Sequence, residues 1–180
     1  TTASGATALG YNALSANTTG STNTGVGFHA LNVNTTGGTN VAVGASALQA
    51  NTTASNNTAV GVSALAANTT GTENVGLGRY SLYTSTTGSY NTAIGTNALF
   101  TNTTGSDNTA VGRSALGAST TASNNVGIGR NALASNTTGS NNVGVGHSSL
   151  NALTTGNSNV AMGFNSLSSD TLGDRAVAIG

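Results

Sequence analysis

The stretch NTAVGVSALAANTTGTEN, Asn57 to Asn74, decides the fold, because the NTAVG that opens it returns as NVGLG, Asn74 to Gly78, at its far end. Followed outward in both directions, the closing glycine falls at Gly10, Gly27, Gly44, Gly61, Gly78, Gly95, Gly112, Gly129, Gly146, Gly163 and Gly180, a spacing of 17 with no insertion or deletion. Four residues after each of the first ten stands a leucine, from Leu14 to Leu167, and the residue just before each glycine is Val, Ile, Leu or Met. Self-similarity at a fixed short period means one small unit stacked on copies of itself.

Helical-hairpin repeats need about thirty residues or more, so this period predicts an all-β fold instead, a β-solenoid or β-roll of 17-residue coils. Each unit carries a short β-rich run preceded by Asn, then a second run ending in Leu. The remainder is turn chemistry, as in Asn17-Thr18-Thr19-Gly20-Ser21, whose residue types supply positive φ or side-chain bonds to the backbone. Coils stacked at roughly 4.8 Å would give a rod on the order of 50 Å long. Residues 1–180 read as one repetitive domain of about ten coils. Thr1-Thr2-Ala3-Ser4 matches Thr52-Thr53-Ala54-Ser55, so the chain opens in mid-repeat and reads as a section of a longer array or a processed product.

The pre-glycine residues and the leucines are expected to line the lumen: Val60, Leu65, Leu77, Leu82, Ile94, Leu99, Val111 and Leu116. Two residues before the glycine stands only Ala or Gly, as at Ala59, Gly76, Ala93 and Ala110, facing opposite to its neighbours by strand alternation. Either another chain packs closely there or the opposing wall of the same coil does. The small apolar content of each coil, set against backbone entropy, favours another chain. The invariant file Gly61, Gly78, Gly95 and Gly112 marks a need for positive φ or a place with no room for Cβ.

Asn23, Asn40, Asn57, Asn74, Asn91, Asn108, Asn125, Asn142 and Asn159 start the strand runs and predict a ladder of stacked amides. A second file, Asn17, Asn34, Asn51, Asn68, Asn102 and Asn136, precedes Thr-Thr and so matches a glycosylation signal. Turn preference accounts for it equally well and is the favoured reading.

Composition removes several classes of function. There is no Cys, which excludes disulfides and thiolate metal sites, and no Pro or Trp. Four acids balance four arginines, so no basic cluster points to nucleic acid, and no apolar run approaches the length of a membrane span. A hydrolytic triad is not in prospect: His29 and His147 lie on different files, on the order of 33 Å apart along the rod, and the acids Glu73, Asp107, Asp170 and Asp174 are scattered. The GVG and GLG triplets open no helix, so they are repeat grammar and not phosphate cradles. No catalytic, cofactor or metal site is expected.

The variable outward residues are the candidates for contact. Arg79, Arg113 and Arg130 share the file just after the glycine, and Glu73 and Asp107 each precede an arginine by six residues, about 20 Å of extended chain. That span is too long for a pair within one coil, so the acids are candidates to meet the arginines of a neighbouring chain. Tyr80, Tyr83, Tyr90 and Phe100 fall on adjacent coils and could form an aromatic band for glycans or for another rod, or a plain packed ladder.

With Asn57-Thr58-Ala59-Val60-Gly61 through Asn68-Thr69-Thr70-Gly71 in view, the chain resembles the repeat arrays of bacteriophage-type tail-fibre proteins and their bacterial relatives. Ser158 to Gly163 and Ala176 to Gly180 look like the head repeats of trimeric autotransporter adhesins of the YadA-like type, although the unit here is longer. The resemblance implies a homotrimer of left-handed β-rolls, used as a stalk or adhesive head on a cell or virion surface and contacting a receptor or surface glycan. Sequence and resemblance together predict a non-enzymatic extracellular fibre that mediates attachment. The alternatives are a filament subunit joined end to end and, as a minor one, an ice-binding solenoid.

Overall fold

A computed structural model of the chain describes residues 3–180. Thr1 and Thr2, which matched Thr52 and Thr53 in repeat phase, lie outside the described residues. The described residues form eleven strands of three residues each: β1 (Thr7–Leu9), β2 (Thr24–Val26), β3 (Val41–Val43), β4 (Thr58–Val60), β5 (Val75–Leu77), β6 (Thr92–Ile94), β7 (Thr109–Val111), β8 (Val126–Ile128), β9 (Val143–Val145), β10 (Val160–Met162) and β11 (Val177–Ile179). They make one parallel sheet in sequence order, β1 to β11, and the described residues contain no helix. Equivalent residues pair, Ala59 with Gly76 and Val60 with Leu77, so every file of the sequence is a file in space. This is a parallel β-solenoid of about ten coils with a repeat of about 17 residues.

Leu65, Leu82, Leu99 and Leu116 are fully buried in one continuous core. The other half of the expected lumen is overturned. Val60 and Ile94 are each 38% exposed, and Leu77 and Val111 are only partly buried, whereas Ala59, Ala93 and Ala110 are completely buried. A three-residue strand gives one side chain to one face and two to the other, and this lumen has room only for the one. Its narrowness is measurable: a Cβ added to Gly25 would stand 3.2 Å from Leu14 Cγ and 3.4 Å from the Ala30 carbonyl oxygen. The close approach at the small residues therefore comes from the opposing wall of the same coil and not from another chain. Small residue and leucine divide one cross-section between them.

The second run of each unit is likewise no strand. It is a tight turn in which all ten leucines adopt φ between 49° and 54°. That left-handed conformation costs a non-glycine residue about 1–2 kcal/mol, and two things hold it. Burial of a leucine side chain returns about 2 kcal/mol, and the backbone is bonded from both sides, with Leu65 donating to Ser81 and Asn68 donating back to Leu65. The glycine file meets both of its expected demands. Gly61 and Gly78 sit at φ +135°, and a Cβ at either would lie 2.7 Å from the carbonyl carbon of the glycine in the next coil.

Both asparagine files point inward. Along the strand-starting file, Asn74 N–H donates to Asn57 Oδ1 at 3.0 Å while the Asn57 amide donates to the Gly71 carbonyl at 2.9 Å. Each side chain thus caps the backbone of the coils around it. In the second file Asn34, Asn51 and Asn68 are fully buried, with the Asn51 amide donating to Asn34 Oδ1 at 2.8 Å and to the Ala54 carbonyl at 3.0 Å. A glycan would need that nitrogen free and outside, so the turn reading stands in the folded protein.

Candidate interaction surface

The two outward residues of every strand lie on one face, in two files about 7 Å apart along the strand and about 4.8 Å apart between strands. One file mixes Thr and Val: Thr7, Thr24, Val41, Thr58, Val75, Thr92 and Thr109, then Val126, Val143, Val160 and Val177. The other is apolar throughout, and in it Val60, Ile94, Ile128 and Met162 are the most exposed of the inner coils, at 38–42%. β-branched side chains suit this position because they pack along the file on a pleated surface. The result is a continuous apolar stripe along the outside of the rod. Contiguous exposed apolar area of this kind marks an interaction site in a soluble protein.

Charge frames the stripe. Glu73 stands one residue before Asn74 and β5, and Arg79 follows Gly78 at the other end of the same strand. Asp107 and Arg113 flank β7 in the same way, and Arg130 continues the basic side beside β8. All five are exposed. The acids therefore occupy one edge of the apolar face and the arginines the other, at matching heights along the axis.

A separate patch gathers around coils five and six. Tyr83 and Phe100 stack with centroids 5.4 Å apart and planes 9° apart, and Tyr80 meets Tyr83 edge-on at 5.3 Å. The Arg79 guanidinium lies 4.4 Å from the Tyr80 ring centre, and its Nη2 donates to the Tyr80 hydroxyl at 3.3 Å. Such a cation over a ring contributes about 0.5–1 kcal/mol at an exposed position. Tyr90 does not join them. It stands one residue before Asn91, on the file of Glu73 and Asp107, and is 56% exposed there.

Several contacts carry no motif in the sequence. Tyr11 and Phe28 stack at 5.5 Å, with His29 lying 4.1 Å from Phe28, and His147 stacks on Phe164 at 5.3 Å. The shared period places Tyr11 over Phe28 and His147 over Phe164, which is the signal that would have found them, whereas His29 reaches Phe28 as its neighbour in sequence. Asn97 could not have been found so: its buried Oδ1 has no hydrogen-bond partner. Among the described residues no group of three or more His, Cys, Asp or Glu could hold a metal ion, and no helix is long and apolar enough to cross a membrane. No family model, curated protein or solved structure matches the chain.

Proposed function

We propose that this chain is a structural rod, a section of an extracellular or virion-surface fibre that holds an attachment function away from its base and does no chemistry of its own. The observation that carries the reading is the apolar stripe running the full length of an in-register eleven-stranded sheet. A monomer that left it in water would expose one apolar file and half of another along the whole rod. A second or third copy packed against it removes that area from water at roughly 25 cal/mol per Å².

Association is with copies of itself, face to face and parallel. When two such faces meet with their axes running the same way, the left edge of one lies beside the right edge of the other. Glu73 then approaches Arg79 of a neighbour and Asp107 approaches Arg113 of a neighbour at the same height. Antiparallel packing would instead set acid edge against acid edge. Cyclic closure of this arrangement with three chains gives the homotrimer that the resemblance implies. The mechanism is mechanical, since stacked coils transmit length and stiffness.

Solution mass by sedimentation, with micrographs of a dilute sample, tests the reading. Short rods of discrete multiple mass support it, a monomer at micromolar concentration overturns it, and fibres of indefinite length select the end-to-end filament. Charge exchange tests the orientation. Arg113→Asp is expected to weaken the assembly by about 0.5–1 kcal/mol per interface, and the added Asp107→Arg to recover it. Failure of the double variant to recover removes the parallel pairing.

A further inference from the structure

We propose that the aromatic patch is a binding site for one pyranose ring of a neutral oligosaccharide, seated on the outer face of Phe100 in the rung left open by Gly117. The proposal gives a ligand class to the attachment role and depends on that role only for its biological purpose.

The argument begins with one outward file. Read along the axis it runs Ala66, Tyr83, Phe100, Gly117, Ala134. Two rings stack, and the stack then stops, because the next rung has no side chain at all. A depression lined by Asn97, Phe100, Thr101, Ser114, Gly117, Ala118 and Ala134 lies there. A second depression, lined by Tyr80, Tyr83, Asn97 and Phe100, adjoins it across the Phe100 ring. A ring at the Gly117 rung would extend the Tyr83–Phe100 stack by one member, at the spacing of the coils.

The chemistry of the walls narrows the occupant. No charged residue lines the Gly117 depression, although the exposed Arg113 precedes Ser114 at its edge, and Arg79 is engaged with Tyr80. Thr101 Oγ1 is spent on the Gly117 and Ser119 carbonyls, at 3.0 and 2.9 Å. Asn97 lines both depressions, and its Oδ1 is buried without a partner. An unsatisfied buried acceptor costs about 1–3 kcal/mol, and a ligand bearing a hydroxyl donor would relieve it. A purely aromatic or aliphatic occupant would stack and leave it orphaned. A pyranose supplies both requirements, an apolar C–H face for the Phe100 ring and equatorial hydroxyls for Asn97 Oδ1 and the Ser114 hydroxyl. Shallow apolar ground with a few convergent polar groups is the usual form of a small-ligand site.

The experiment uses the full chain and three neutral probes, the hexaoses of cellulose, starch and chitin, read by saturation-transfer NMR and titration calorimetry. Saturable binding of at least one probe is expected, with transfer strongest at ring C–H protons. Phe100→Ala should weaken it about tenfold, the worth of one stacked ring. Gly117→Phe fills the rung, keeps every native ring, and should abolish binding with no loss of thermal stability. Asn97→Ser, the residue other coils place at that turn, should weaken binding about fivefold through loss of the acceptor. No saturable signal with any of the three probes, or binding untouched by Gly117→Phe, overturns the proposal. So does a Gly117→Phe variant whose solution mass changes, since the rung would then belong to a second copy. Intact rods that bind no sugar defeat this inference alone, whereas a monomer that binds sugar defeats the fibre reading and leaves this one standing.

Discussion

Two asparagine files run inside the rod side by side, and they differ in one respect. The strand-starting file is unbroken from Asn23 to Asn159, and its carbonyl oxygens accept from the coil that follows, as Asn74 Oδ1 accepts from Asn91 N–H at 3.0 Å. The other is interrupted by Ser85, Ser119 and Leu153. One coil before each interruption, a buried oxygen is orphaned: Asn68 Oδ1, Asn102 Oδ1 and Asn136 Oδ1. Ser85 Oγ and Ser119 Oγ are orphaned with them. Satisfaction in a ladder is thus a property of the neighbouring coil and not of the residue itself, and a substitution is felt one coil away.

Asn91 and Asn102 let the comparison be broken directly, because their amides converge on the same Gly105 carbonyl, at 2.9 and 3.0 Å. Asn91→Ala also strips the partner from the buried Asn108 N–H, so a loss of about 3 kcal/mol is expected in chemical denaturation. Asn102→Ala removes an oxygen that already lacks a partner and leaves Gly105 its bond from Asn91, so about 1 kcal/mol should suffice. Equal losses would mean that the two files are interchangeable and the comparison empty. Ser85→Asn sharpens it from the other side, returning a donor to Asn68 Oδ1, with an expected gain of about 1 kcal/mol seen as a raised melting temperature. Leu153→Asn offers the same donor to Asn136 Oδ1 but gives up a fully buried leucine, and the opposing terms should leave it within about 1 kcal/mol of neutral.

The period, the stacked coils, the leucine file, the glycine file and the amide ladder were all legible in the sequence, because each is a statement about recurrence. What recurrence could not say was which way a file faces. Thr58-Ala59-Val60 alternates whether Ala59 or Val60 points inward, and hydrophobicity argues for Val60. The deciding quantity is the distance across the lumen to Leu65 and its equivalents, which belongs to the closed coil and has no local signature. The same holds for the left-handed leucines, since nothing next to Leu65 in sequence asks for positive φ. On the surface, the acid and arginine edges could be read from spacing, and the stacking of Tyr83 on Phe100 from their shared file. Asn97 became visible only when its oxygen was found buried beside an open rung. The breaks at Ser85, Ser119 and Leu153 were plain exceptions to a pattern, but their effect falls on asparagines that look perfectly regular.

In-register pairing from β1 to β11 also governs how such a molecule changes over generations. Deleting a single codon would carry every later side chain off its file, forcing leucines into the slots of buried alanines and setting residues such as Arg79, Arg113 and Phe164 where glycine must stand. Duplicating or excising a complete unit leaves every remaining contact as it was. Genetic recombination between near-identical units is then the tolerated route to a longer or shorter fibre, and its reach would vary in steps of about 4.8 Å, like a ruler that can be cut only at its marks.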